Sequence, residues 1–171
     1  MNDAEIVQRA ATLRVAFDRS FAEPPPAIER GTERFLAITI AGTAYAVAQA
    51  EVAALFVDRP IAELASAATT FLGVAMLDGE PVPVHGLAAL LGHGTGDAPP
   101  RWMLRVARSV LGLAFDRLDG QLRVPRNAIA ALQPGAADPL IGGSIALNGI
   151  TRSIVRLDAA VAQLAAGIRE E

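Results

Sequence analysis

The stretch FLGVAMLDGEPVPVHGLAALLG, Phe71 to Gly92, decides how this chain reads. Val74 and Met76 alternate with Ala75 and Leu77, Asp78-Gly79 is a strong two-residue turn signal, and Val82 and Val84 alternate beyond it, so the segment reads as a hairpin. Pro81 and Pro83 lack a backbone N–H. Their period of two turns both missing donors to one side, which predicts a strand whose open side faces solvent at a sheet edge. From Leu87 to Leu91 the chain is apolar at helical spacing and stops at Gly92, as a single helical turn does.

Upstream, Phe35 to Ile40 and Gly42 to Val47 read as a second hairpin with its turn at Ala41 to Thr43, and both faces of its arms are apolar. Such strands are sandwiched, or belong to a small closed barrel. The run from Phe35 to Ala50 carries no charge, but it falls short of the roughly 20 residues a spanning helix needs and is broken by Thr39, Gly42, Thr43 and Gln49. Glu51 to Val57 and Ile61 to Ala68 are alanine-rich and stay ambiguous between helix and strand. Nearer the start, residues 1–22 predict an amphipathic helix, with Ile6, Ala10, Leu13, Phe17 and Phe21 on one stripe, Arg9, Arg14 and Arg19 elsewhere, and Asp3 as N-cap. That stripe either packs on the body of the protein or docks a partner or a membrane surface. EPPPAIERGTE, residues 23–33, is a semi-rigid proline-rich linker.

Downstream, GHGTGDAPP (Gly92 to Pro100) is a turn-rich spacer, and the elements after it echo those before it. Trp102 to Ala107 and Val110 to Phe115 repeat the hairpin of residues 35–47. Leu147, Gly149, Ile154, Val155 and Leu157 repeat Leu77, Gly79, Pro83, Val84 and Leu87 at nearly the same offset. The repetition is either an internal duplication of a small β-barrel, approximately 35–92 and 101–164, or coincidence in an alanine-rich sequence. A final helix with Leu157, Val161, Leu164 and Ile168 on one stripe and Asp158 in its first turn leads into a tail at 165–171.

Composition narrows the function. The chain of 171 residues is 52% apolar, enough for a substantial core. Its 15 basic residues are all arginine, against 18 acidic ones, with no block of one sign, so a nucleic-acid footprint is not expected. The chain has no cysteine, hence no disulfide framework and no thiolate nucleophile. Asp3 and Glu5 with no apolar run behind them do not read as a secretory signal, so the expected location is the cytoplasm.

Catalytic constellations are thin. His85 lies in the second arm of the LDG hairpin and His93 in the glycine spacer; neither has metal-ligand spacing around it, and both read as surface or structural histidines. Asp116 and Asp119 in DRLDG read as turn residues, with Asp119-Gly120 a further hairpin signal. Ser144 in GGSIAL lacks the second glycine of a nucleophile elbow, and GGS lacks the lysine of a phosphate loop. The expectation is a protein that is not an enzyme and has no cofactor or metal.

GVAMLDGEPVPVHGL resembles the signature of CheW-like domains, in which a strand ending in an Asn-Leu-Arg-Gly turn leads into Val-Pro-Val-Ile-Asp-Leu. FLAITIAGTAYAVAQAEVAALF is similar to that family's opening strands, LGLAFDRLDGQLRV to its second-half hairpin, and NGITRSIVRLDAAV to its closing strand and helix. Together these cover residues 34–164. The resemblance implies an all-β fold of two intertwined five-stranded SH3-like barrels, flanked here by the N-terminal amphipathic helix and the C-terminal helix. It implies a non-catalytic adaptor that couples a chemoreceptor-type sensor to a CheA-type histidine kinase in a chemosensory array. The partners would be the kinase's regulatory domain and the receptor's cytoplasmic tip, with no nucleic acid and no membrane insertion. The alternatives are a CheW-like adaptor of a pathway controlling pili or a second messenger, and a small-ligand-binding β protein with no kinase partner. The receptor face implied by the family falls on Val52, Ala54, Asp78 and Gly79. Familiar members often carry glutamate at the position of Ala54 and arginine at that of Asp78, so the complementary pair is missing and its basic member is replaced by an acid. His85 and Gly86 stand where the family reads Ile-Asp.

Overall fold

The computed structural model describes residues 31–94, 99–132 and 138–167. The expected N-terminal helix, most of the proline linker, the middle of the glycine spacer and the residues from 168 onward lie outside them. The described strands are β1 (Thr32–Ile40), β2 (Thr43–Ala48), β3 (Val52–Val57), β4 (Ile61–Ala62), β5 (Phe71–Leu77), β6 (Glu80–Gly86), β7 (Trp102–Val106), β8 (Gly112–Phe115), β9 (Arg117–Pro125), β10 (Ile129–Ala131), β11 (Ile141–Leu147) and β12 (Ile150–Val155). The two helices are α1 (Leu87–Leu90) and α2 (Leu157–Gly167).

Three hairpin turns form as their dipeptides dictate. Ala41-Gly42, Asp78-Gly79 and Asn148-Gly149 each hold two successive residues at positive φ, the requirement of the tight turn whose twist matches that of the flanking strands. The fourth signal misleads. Asp119-Gly120 lies inside β9, and the chain bends instead at the single residue Asp116, where it leaves one sheet for the other.

The strands form two six-stranded sheets, ordered β10-β11-β12-β2-β1-β9 (sheet A) and β4-β5-β6-β8-β7-β3 (sheet B). Counted from its short edge strand, each sheet follows the same plan: a hairpin, a parallel step to a second hairpin, and a closing strand. The parallel steps pair Ile154 with Ala46 and Val84 with Gly112. In each sheet the two edge strands are consecutive in the chain, joined through Asp58–Pro60 in B and the 3-10 turn Arg126–Ala128 in A, so each sheet must curl to bring its edges together. The short strands β4 and β10, laid down after those links, raise the count from the implied five to six. The sheets do not correspond to the sequence halves 35–92 and 101–164. Sheet B is the continuous segment from β3 to β8, inserted between β2 and β9 of sheet A.

Burial follows the pleat. Phe35, Ala46, Val124 and Ile145 fill sheet A, while Phe56, Ala75, Leu77, Val82, Val84, Met103 and Ala114 fill sheet B. Between the sheets lies the largest core, where Leu36, Ile38, Ile40 and Val47 meet Leu104, Val106, Leu113 and Phe115 under α1 and α2. This is why both faces of the first hairpin read as apolar: one lines the interior of sheet A and the other meets sheet B. On α2 the buried residues are Leu157, Ala160 and Leu164, so Ala160 takes the inner place expected of Val161.

The prolines require a correction. β6 lies between β5 and β8 and is not an edge strand. Pairing with β8 begins only at Val84, however, so Pro81 and Pro83 occupy the part of β6 whose sole partner is β5, and their missing donors leave no gap in the ladder.

Candidate functional site

One end of sheet B gathers the residues singled out in the sequence. Val52 opens β3 opposite Val106, and Ala54 lies opposite Arg105 of β7. Because β6 runs parallel to β8, with Val84 beside Gly112, the β5–β6 turn reaches the same end as the β7–β8 turn. Arg105 joins the pieces. Its Nη2 donates to Glu80 Oε2 at 2.8 Å, and its Nη1 lies 3.6 Å from Asp78 Oδ2. The cross-strand neighbour of Ala54 is thus the residue that clasps the Asp78-Gly79 turn. Val52 is half-buried against the central core, and nearby on β5 and in the β7–β8 turn the side chains of Met76 and Val110 are exposed.

The structure brings Val52, Ala54, Asp78 and Gly79 to one end of one sheet and adds Arg105 and Glu80. Arg105 carried a signal in the sequence: in WMLRV, residues 102–106, a lone charge shares the inward parity of Met103 and needs a partner at the mouth of the sheet. Arg105 of β7 pairs with Asp78, so the acid at position 78 does not stand alone.

The other candidates are held in structural contacts. His85 is buried, its Nδ1 3.3 Å from Thr70 Oγ1 and its ring tilted against Phe71. Burial pushes its imidazole below the ordinary value, which keeps it neutral. His93 Nε2 lies 2.6 Å from Tyr45 Oη, tying the segment after α1 to sheet A. Asp116 accepts the Ala41 N–H at 2.6 Å, and Asp119 is bound by Thr39, Arg117 and Arg152. Ser144 sits mid-strand opposite Ser153, and among the described residues no histidine or carboxylate bonds to it. Among the described residues no three His, Asp or Glu side chains are placed to hold a metal ion.

At the opposite end of sheet B lies a cavity of about 560 Å³, floored by Gly86, Ala88 and Ala89 and walled by Pro99 and Pro100. Its rim carries Arg101, whose guanidinium grips both oxygens of Asp58 at 2.8 and 2.9 Å. That grip holds the Asp58 carboxyl below its ordinary value.

A profile of the CheW-like domain matches residues 34–164. The chain belongs to the CheW-like domain family. Its fold is similar to that of the scaffolding protein TtCheW from Thermoanaerobacter tengcongensis, with a TM-score of 0.65 at 18% identity over 72% of this chain and 88% of that one. Among curated proteins none matches. The likeness is one of fold, and the identity is too low to carry individual residues across. Among the described residues no helix is long and apolar enough to cross a membrane.

Proposed function

We propose that this protein is a non-catalytic adaptor that couples a chemoreceptor-type sensor to a CheA-type histidine kinase from the cytoplasm. The observation that carries the reading is the CheW-like match across residues 34–164, joined to the convergence of Val52, Ala54 and the Asp78-Gly79 turn at one end of sheet B. The mechanism is geometric: two partners bound to separate faces of one shared core are held in fixed register, and the coupling energy resides in that register. The pathway served is chemotaxis, or in the alternative a chemosensory route to pili or a second messenger.

Titration calorimetry against the regulatory domain of each CheA-type kinase encoded in the same genome tests the kinase contact. Micromolar affinity, about -8 kcal/mol, is expected of a transient signalling contact. Val52→Arg, which sets a charge on the half-buried opening of β3, is expected to abolish binding of receptor-tip fragments while leaving kinase binding in place. The cavity beside α1 favours a second reading, a small-ligand-binding protein. Absence of heat with every kinase domain would favour that reading.

A further inference from the structure

Arg105 sits on β7, an inner strand flanked by β3 and β8, while the two acids it holds are exposed at the β5–β6 connection, Asp78 within the turn and Glu80 as the first residue of β6. The exposures are unequal: the Arg105 side chain is 23% exposed, that of Asp78 56% and that of Glu80 64%. Each acid gives one oxygen to the guanidinium. Among the described residues no hydrogen bond is made to Asp78 Oδ1 or Glu80 Oε1, so the more exposed acids each keep an oxygen for a partner while the cation beneath them is largely covered. Asp78 itself stands at φ 53 in a tight turn, so clasping the turn from a rigid strand fixes where those oxygens point. Exposed Met76 and Val110 supply apolar surface on the same end of the sheet.

We propose that Arg105 is the specificity-determining residue of this face: by holding Asp78 and Glu80 it presents their outer oxygens to a partner, and the face selects a helical tip that carries a basic residue beside an apolar anchor. The proposal rests on the receptor reading above and names the partner chemistry that reading leaves open. Arg105 acts by positioning, and this separates it from a simple charge effect. If only net charge mattered, removing Arg105 would make the face more negative and tighten binding of a basic partner. If Arg105 positions the acids, removing it loosens the turn and weakens that binding.

The test uses a receptor-tip fragment encoded in the same genome, prepared in two versions whose residues flanking the tip apex are arginine or glutamate. The full chain is expected to bind the arginine version about tenfold more tightly, the range open to a few partly solvated charge pairs. Arg105→Gln is expected to weaken the arginine version about fivefold with an unchanged melting temperature, and Arg105→Lys to restore part of the loss, since a point charge holds two carboxylates less well than a planar fork. Asp78→Asn with Glu80→Gln should abolish the preference between versions. Arg108, in the neighbouring turn and without an ion pair among the described residues, is the control, and Arg108→Ala should keep the preference. Binding of the arginine version by Arg105→Gln as tight as wild type or tighter, or equal affinity of wild type for both versions, would overturn the proposal. Failure of wild type to bind any tip fragment while it still binds a kinase domain would overturn the receptor reading and this inference together.

Discussion

The residue with most at stake outside the partner face is Asp119. Its Oδ2 accepts from Thr39 Oγ1 at 2.9 Å and Arg152 Nη1 at 3.0 Å, and its Oδ1 accepts from Arg117 Nε at 2.8 Å. The side chains of Arg152 and Asp119 are only 12% and 17% exposed, and in the hairpin pairing Arg152 takes the place that Val82 takes in sheet B. Burial alone would raise the Asp119 carboxyl, but the hydrogen bonds from Arg117, Thr39 and Arg152 outweigh it and hold the group below its ordinary 3.8. A carboxyl depressed in the folded state stabilises the fold above its unfolded pKa, and that stabilisation is lost as pH falls through the folded value. Asp119→Ala is therefore expected to cost about 2 kcal/mol at neutral pH, chiefly by leaving the largely buried Arg152 without its acid. In urea titrations the gap between wild type and variant should narrow below about pH 4, as wild type loses the same interaction to protonation. A gap of equal size at pH 7 and pH 3 would mean that charge is not its cause. Neither this cluster nor the acids that Arg105 holds could be read from the sequence, because both depend on pairing strands far apart in the chain; the lone charge in WMLRV marks Arg105 but not its partners. Val52, Ala54 and Asp78 could be grouped only because a resemblance supplied what spacing alone does not.

Elements were easier to read than their neighbours. The three tight turns at Ala41-Gly42, Asp78-Gly79 and Asn148-Gly149 are local chemistry, and so is the stop of α1 at Gly92. Asp119-Gly120 failed as a turn signal because its residues continue a long strand beside β1, and strand pairing overrides dipeptide preference where the partner is already in place. Less visible is a bulge that both sheets share. β5 slips register between Phe71 and Gly73 against β6, and β11 slips between Ile141 and Gly143 against β12. At each slip the glycine lies against a carbonyl of the short edge strand, Ala62 O for Gly73 and Ala130 O for Gly143, so a Cβ has no room without moving backbone. Gly73→Ala and Gly143→Ala are each expected to cost about 2 kcal/mol or more, read as a fall in melting temperature of about 5 °C. Gly149→Ala is the comparison: it bears only the strain of positive φ in an open turn and should cost about 1 kcal/mol. If the bulge variants melt no lower than Gly149→Ala, the edge strands yield freely and do not fix the bulges.

The repetition of hairpins along the chain is visible in the sequence, yet which hairpin joins which sheet is not, because each strand pairs acceptably with several others and only the central core decides among them. That core also sets how the whole molecule unfolds. Sheet B is inserted into sheet A through two crossings, and each carries a carboxylate bound to the other side: Glu51 Oε2 accepts the Leu157 N–H at 3.0 Å at the head of α2, and Asp116 accepts the Ala41 N–H of the first turn. Between the crossings the two sheets bury one continuous apolar layer, with Leu113 and Leu104 of sheet B against Ile38 and Val47 of sheet A. Neither sheet can open that layer alone without exposing the apolar face of the other, so the sheets should unfold as one cooperative unit. Leu113 is fully buried there, and Leu113→Ala, which removes most of an apolar side chain from a packed site, is expected to cost about 3 kcal/mol. If the unit is cooperative, hydrogen exchange near the global limit should accelerate in the variant by the same factor at Ile38 and Val47 of sheet A as at Leu104 of sheet B, although the substitution lies in sheet B. Acceleration confined to β7 and β8, with Ile38 and Val47 still protected at the wild-type level, would show instead that sheet B opens independently and that the shared layer does not bind the two sheets into one folding unit.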